Sequence, residues 1–132
     1  MIAAVQTADG VYRVDLDEEV VLGLETGEAI EPADPVKTPL PRVVAAARSG
    51  STVVAVVEAK PPMLVSHDGG TTWRESGRGL PAGFAVAIAE DDPDLVVYAA
   101  RNRLYVSRDG ARFWTGLAVE LPEIEALELR VI

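Results

Sequence analysis

Two rhythms run along this chain. The shorter one is alternation, in which apolar positions change places with small or polar ones in VVAAARS (43–49), TVVAVVEA (52–59), FAVAIAE (84–90) and LVVYAAR (95–101). Each run is short, rich in valine and alanine, and bounded by turn residues such as SGS (49–51) and DDPD (91–94), so each is predicted to be a strand. The longer rhythm is a repeat. Leu-Pro pairs stand at Leu40-Pro41, Leu80-Pro81 and Leu121-Pro122, and between them the same features recur in the same order. An alternating run leads to a polar turn, then to a valine-rich strand, then to a short strand entering a Ser-x-Asp turn (MLVSHDGG, LYVSRDGA), and a tryptophan strand closes the unit.

Four short strands every 40 residues or so, with no room for a helix, fit one blade of a β-propeller. The expected fold is therefore all-β, in four-stranded antiparallel units starting near Arg42, Phe84 and Glu123. The ends complete the pattern. MIAAVQTADGVYRVD aligns with LVVYAARNRLYVS, so the chain opens at the second strand of a blade. EIEALELRVI has a helical composition, but Leu127, Leu129 and Val131 alternate with Glu128 and Arg130, which predicts a first strand over 124–131. Residues 1–132 then form one domain of about three blades, one of them split between the two ends. ETGEAIEPADPVKT (25–38) fits no blade and is expected to be an irregular excursion.

Three blades do not surround an axis, and open sheet edges invite association. A head-to-tail homodimer would give a six-blade ring. It is expected to set residues 2–7 of one chain beside 124–131 of the other, completing the split blade across the interface.

In SHDGGTTW the residues Ser66, Asp68, Gly70 and Trp73, and in SRDGARFW the residues Ser107, Asp109 and Trp114, share one spacing. The pattern resembles the Asp-box, the repeat of bacterial neuraminidases and of sialidase-like propellers. The second copy departs from it, with Ala111 in place of the glycine. The resemblance implies a structural hairpin away from the ligand-binding face. Elementary chemistry agrees, since an aspartate heading a tight turn accepts from unpaired backbone amides, and a tryptophan folded beneath it buries a large area.

A sialidase-like glycosidase is the least favoured reading. It would need an arginine cluster, an Arg-Ile-Pro segment and a Tyr–Glu nucleophile pair, and Pro41-Arg42 is in the wrong order. Tyr12, Tyr98 and Tyr105 all fall inside predicted strands, and His67, the one histidine, lies in a staple turn. The run EDDPD (90–94) reads as a strand-connecting turn rather than a Ca²⁺ loop, so no catalytic residue, metal or cofactor is expected.

Net charge, at −9, opposes nucleic acid and anionic membranes. No cysteine is present, no run is long and apolar enough to span a bilayer, and the N-terminal residues lack a signal-peptide pattern, which together suggest a cytoplasmic protein. The expected function is a non-catalytic, partner-binding propeller scaffold, with a glycan- or small-anion-binding lectin as the alternative. The loops AKPP (59–62), GRGLPAG (77–83) and ARNR (100–103) should share one face. They bring Lys60, Arg78, Arg101 and Arg103 there for an anionic ligand or an acidic protein segment, with acidic residues sorted to the opposite face.

Overall fold

The structure, a computed structural model, describes residues 1–30 and 36–130. Among these residues every regular element is a strand. The strands make three four-stranded antiparallel sheets. The split blade holds β1 (Ile2–Thr7), β2 (Gly10–Asp15) and β3 (Val20–Glu25), with β12 (Ala126–Arg130) as its innermost member. A second blade holds β4 (Val43–Ser49), β5 (Thr52–Val57), β6 (Met63–Ser66) and β7 (Arg74–Ser76). The third holds β8 (Ala85–Ala89), β9 (Asp92–Ala100), β10 (Arg103–Ser107) and β11 (Thr115–Gly116). The predicted units thus begin close to where the sequence places them.

The β8–β11 blade sits between the other two. Its central strand is buried on both faces, so alternate residues serve two cores. Val97 and Ala99 pack with Ala3, Val5, Val14 and Leu16 of the split blade. Val96 and Tyr98 pack with Val54, Val56, Met63 and Val65 of the β4–β7 blade. Small and β-branched side chains let the sheets approach closely, and Tyr98 fills the remaining volume beside Tyr105 and Trp114, its ring centroid 6.1 Å from that of Trp114 in an edge-on arrangement. Innermost strand β8 packs on both β4 and β12, while no comparable packing joins β4 to β12, so the blades form an open arc.

Several expectations change. The sequence reading puts residues 2–7 beside 124–131 of another chain, but β1 pairs with β12 of its own chain, from Ile2 opposite Arg130 to Gln6 opposite Ala126. Pairing these strands closes a sheet and does not require the arc to close on itself, so the split blade is complete within one chain. The strand ends at Arg130, and residue 131 lies outside the described residues. EDDPD is not a turn throughout, because β9 begins at Asp92 and the turn is confined to Glu90 and Asp91. The excursion at 25–38 begins one residue late, since Glu25 ends β3; residues 28–30 and 36–38 have no regular structure, and 31–35 lie outside the described residues. In the two blades that carry the tryptophans the fourth strands are very short, and both tryptophans precede them rather than belonging to them.

The two tryptophans also differ in task. Trp114 Nε1 donates to Ser76 Oγ at 3.0 Å, and that hydroxyl in turn donates to the carbonyl of Ala111, so the pair clasps two blades. Trp73 Nε1 donates to Gly70 O at 3.0 Å inside its own hairpin. Trp114→Ala is therefore expected to destabilise by about 3 kcal/mol and Trp73→Ala by about half as much. Chemical denaturation checks this, and equal losses would contradict the assignment of the inter-blade clasp to Trp114.

Candidate functional site

The two Ser-x-Asp hairpins are built alike. Ser66 Oγ donates to Asp68 Oδ1 at 2.7 Å, and Asp68 Oδ1 also accepts from the amides of Thr71 and Thr72. In the second copy Ser107 Oγ donates to Asp109 Oδ1 at 2.8 Å, which accepts from the amides of Arg112 and Phe113. The serine oxygens accept the amides of Gly70 and Ala111. Ala111 takes φ of +68° where Gly70 has +99°, so the missing glycine does not alter the turn; the strain of a left-handed alanine is borne because its methyl is buried against the neighbouring blade.

These bonds favour the charged carboxylates. Asp68 is held well below the ordinary value, first by the Thr72 hydroxyl, then by the Thr72 amide and Ser66. Asp109 is lowered chiefly by the Phe113 amide and the Ser107 hydroxyl. Asp109 also borders a cleft that Asp17 and Glu19 line, but its Oδ1 is engaged by its own turn, as is that of Asp68.

The four predicted cations divide into pairs. Lys60 and Arg78 line one depression with Pro61, Pro62, Glu75 and Leu80, about 550 Å³ in volume. It opens into a more apolar groove of about 710 Å³ along Val57, Glu58, Ala59, Leu80, Pro81 and Ala82. Local geometry explains the walls. Val57 N donates to Pro62 O at 2.8 Å, closing the β5–β6 loop, and Leu80 N donates to Gly77 O, closing the other wall. Tyr98 fixes the groove from behind: its hydroxyl donates to Pro81 O at 2.8 Å. Burial, with a smaller contribution from Tyr105, pushes Tyr98 up to about 12, so it remains a neutral donor. Among the described residues neither Lys60 nor Arg78 forms an ion pair.

Arg101 and Arg103 belong elsewhere, at the β9–β10 turn. Arg103 Nη2 is 2.9 Å from Glu120 Oε1, a half-exposed pair worth little in stability. Arg101 is exposed, with φ of +55°, and its carbonyl accepts from Ile124 N while that of Asn102 accepts from Leu121 N. This turn guides the chain back into β12. Charge is not sorted between faces as expected, because Arg74, Arg108 and Arg112 line clefts on the hairpin side and Glu58 and Glu75 line the groove. His67, within its turn, exchanges a hydrogen bond with Arg74 at 3.2 Å.

Sequence reasoning missed Tyr98 and Gly83 as determinants of the groove. A Cβ on Gly83 would lie 2.3 Å from the Tyr98 ring, so glycine there is a packing requirement. Its place just after Leu-Pro in the repeat was the available signal.

Solved structures resemble this arrangement. The crystal structure of a GH74 enzyme from Niastella koreensis matches with a TM-score of 0.50 and 20% identity, covering 91% of this chain and 18% of that one. YCF48 bound to D1 peptide matches with a TM-score of 0.52 and 19% identity, covering 93% of this chain and 41% of that one. The chain spans less than half the length of either. No protein-family model and no curated protein matches it. The fold is that of β-propeller blades.

Two outcomes follow. Gly83→Ala should lower the melting midpoint and perturb the Tyr98 ring, seen as a changed near-ultraviolet spectrum; an unchanged midpoint and spectrum would contradict the packing. Depressed carboxylates stabilise above their unfolded value of about 3.9 and lose that contribution as pH falls toward the folded value. The melting midpoint should therefore drop below about pH 4, and less steeply in Asp68→Asn, whose side chain has no charge to lose.

Proposed function

We propose that the chain is a non-catalytic propeller module that binds an extended, acidic segment of a partner protein in the groove between the β5–β6 loop and residues 77–83. The observation that carries this reading is the placement of Lys60 and Arg78, two cations with no ion pair among the described residues, on one rim of a largely apolar groove. A carboxylate placed between them would gain two charge-assisted contacts, while Pro62, Leu80 and Pro81 would accept apolar side chains. The likeness in fold to a propeller whose structure contains a bound peptide supports a partner-binding role. The lectin alternative has less support, because Trp73 and Trp114 are committed to a hairpin and a seam and offer no stacking platform at the groove. The open arc is compatible with assembly of two copies into six blades, by docking of finished blades rather than by strand exchange. The mass in solution would decide that point.

Binding to the groove can be read by selecting from a displayed peptide library on the wild-type protein. Selected peptides should be rich in Asp and Glu. Their affinity should fall about tenfold or more in Lys60→Ala/Arg78→Ala, and should weaken as salt rises. Unaltered binding by that variant, with an unchanged melting midpoint, would exclude the groove.

A further inference from the structure

Large apolar side chains on the surface of this protein are not scattered. Val20, Val21, Leu22 and Leu24 of β3 are between 42 and 48% exposed, and Phe113 is 79% exposed. Of these five, Phe113 lines a cleft of about 380 Å³ between the split blade and the β8–β11 blade, whose floor is Leu16, Val106 and Leu117. Phe113 stands on one lip, and Glu19, on the other, leads directly into Val20.

Neither lip is explained by the fold's own needs. Position 113 corresponds to Thr72 in the other hairpin, where the hydroxyl donates to its aspartate, Thr72 Oγ1 to Asp68 Oδ2 at 2.6 Å. Phenylalanine forgoes that bond and projects its ring into water, while the Phe113 amide stays fixed on Asp109 at 3.0 Å. The result is an aromatic side chain presented from a fixed backbone position. The outer strands of the other blades are blunted, three residues with Arg74 and Glu75 in β7 and two in β11, which is the usual protection of a sheet edge. Strand β3 runs for six residues as VVLGLE. Arg13 pairs with Gly23 and Val14 with Val21, so Leu22 is the extra residue of a bulge. A bulged edge discourages strand addition, and contact here is made by side chains.

The cleft is also built to last. Arg108 Nη2 donates to Leu16 O at 3.3 Å and lies 3.1 Å from Asp17 Oδ1, bridging the two blades. Glu19 Oε1 accepts from Ala118 N. The turn between β2 and β3 carries Asp15, Asp17, Glu18 and Glu19, against which stand Arg108 and the terminal amine, both on Asp17. The lip is thus acidic within a chain of net charge −9. Such a field draws a cationic partner and repels another copy of the same chain.

We propose that this rim, from Phe113 across the cleft to β3, is a docking surface for a partner-protein segment carrying apolar side chains flanked by lysine or arginine. It is independent of the groove at Lys60 and Arg78, which takes the opposite charge.

Calorimetric titration with a synthetic peptide alternating valine and lysine tests it, with a serine–lysine peptide of equal charge as the control. The valine–lysine peptide should bind the wild-type protein, and the control should not. Leu22→Ser/Phe113→Ser should weaken binding about tenfold or more. Val44→Ser, at an exposed apolar position outside this rim, should bind as the wild type does. Phe113→Thr, which copies the other hairpin, provides a variant with little reason to misfold. Equal binding of both peptides, or undiminished binding by Leu22→Ser/Phe113→Ser and Phe113→Thr, would overturn the proposal. So would a wild-type dimer in sedimentation that these substitutions dissociate, since the rim would then belong to a second copy. Lys60→Ala/Arg78→Ala should leave this peptide's binding intact, which separates the two surfaces.

Discussion

Tyr98 is the contact on which core and groove both depend. Its ring is fully buried between the β8–β11 and β4–β7 blades, and the polar tip that such burial would strand is satisfied by the carbonyl of Pro81. That one bond holds the wall carrying Leu80 and Pro81, while the ring's bulk excludes any side chain at Gly83. Around it, Tyr105 and Trp114 complete an aromatic cluster, and Trp114 passes the linkage to Ser76 of the next blade. A chain poor in aromatics has therefore concentrated three of them at a single seam.

Much of the fold was legible because strand alternation and the Leu-Pro repeat are local signals. TVVAVV and LVVYAA carry no polar break because central strands are buried on both faces, and both are strands at the positions expected. The Ser-x-Asp spacing likewise foretold the hairpins down to the carboxylate that collects backbone amides. The partner of β12 was not legible. Periodicity says that Leu127 and Leu129 face a core, but strand pairing depends on which edges meet in space, and nothing in EIEALELRVI specifies its own chain over another. Similarly, loop cations could be assigned to one end of the blades, yet only the path of the β9–β10 turn shows that Arg103 is engaged with Glu120 while Lys60 and Arg78 share a depression.

The hairpins show how a repeat can be kept in one respect and altered in another. Both retain the serine–aspartate pair, and both place a residue with positive φ after it, whether glycine or alanine. What differs lies outside the motif, at Thr72 and Phe113. One side chain returns to its own turn and the other leaves it. A motif scan aligns these positions as filler. The bond that the Thr72 hydroxyl makes to its aspartate, and that a phenyl ring cannot make, separates them.

The pairing of β1 with β12 also bears on the order in which this protein assembles. The β4–β7 and β8–β11 blades consist of neighbouring hairpins, so each loop closed is short. The split blade instead joins Ile2 to Arg130, and the entropy of closing so long a loop must be met before β12 can add to the β1–β3 hairpins. The central blade is therefore expected to form with the β4–β7 blade first. It then presents Leu95, Val97 and Ala99 as a finished surface on which β1, β2 and β12 gather. β1, β2 and β3 can pair beforehand as consecutive hairpins, so β12, the innermost strand of the split blade, is the last to find its place.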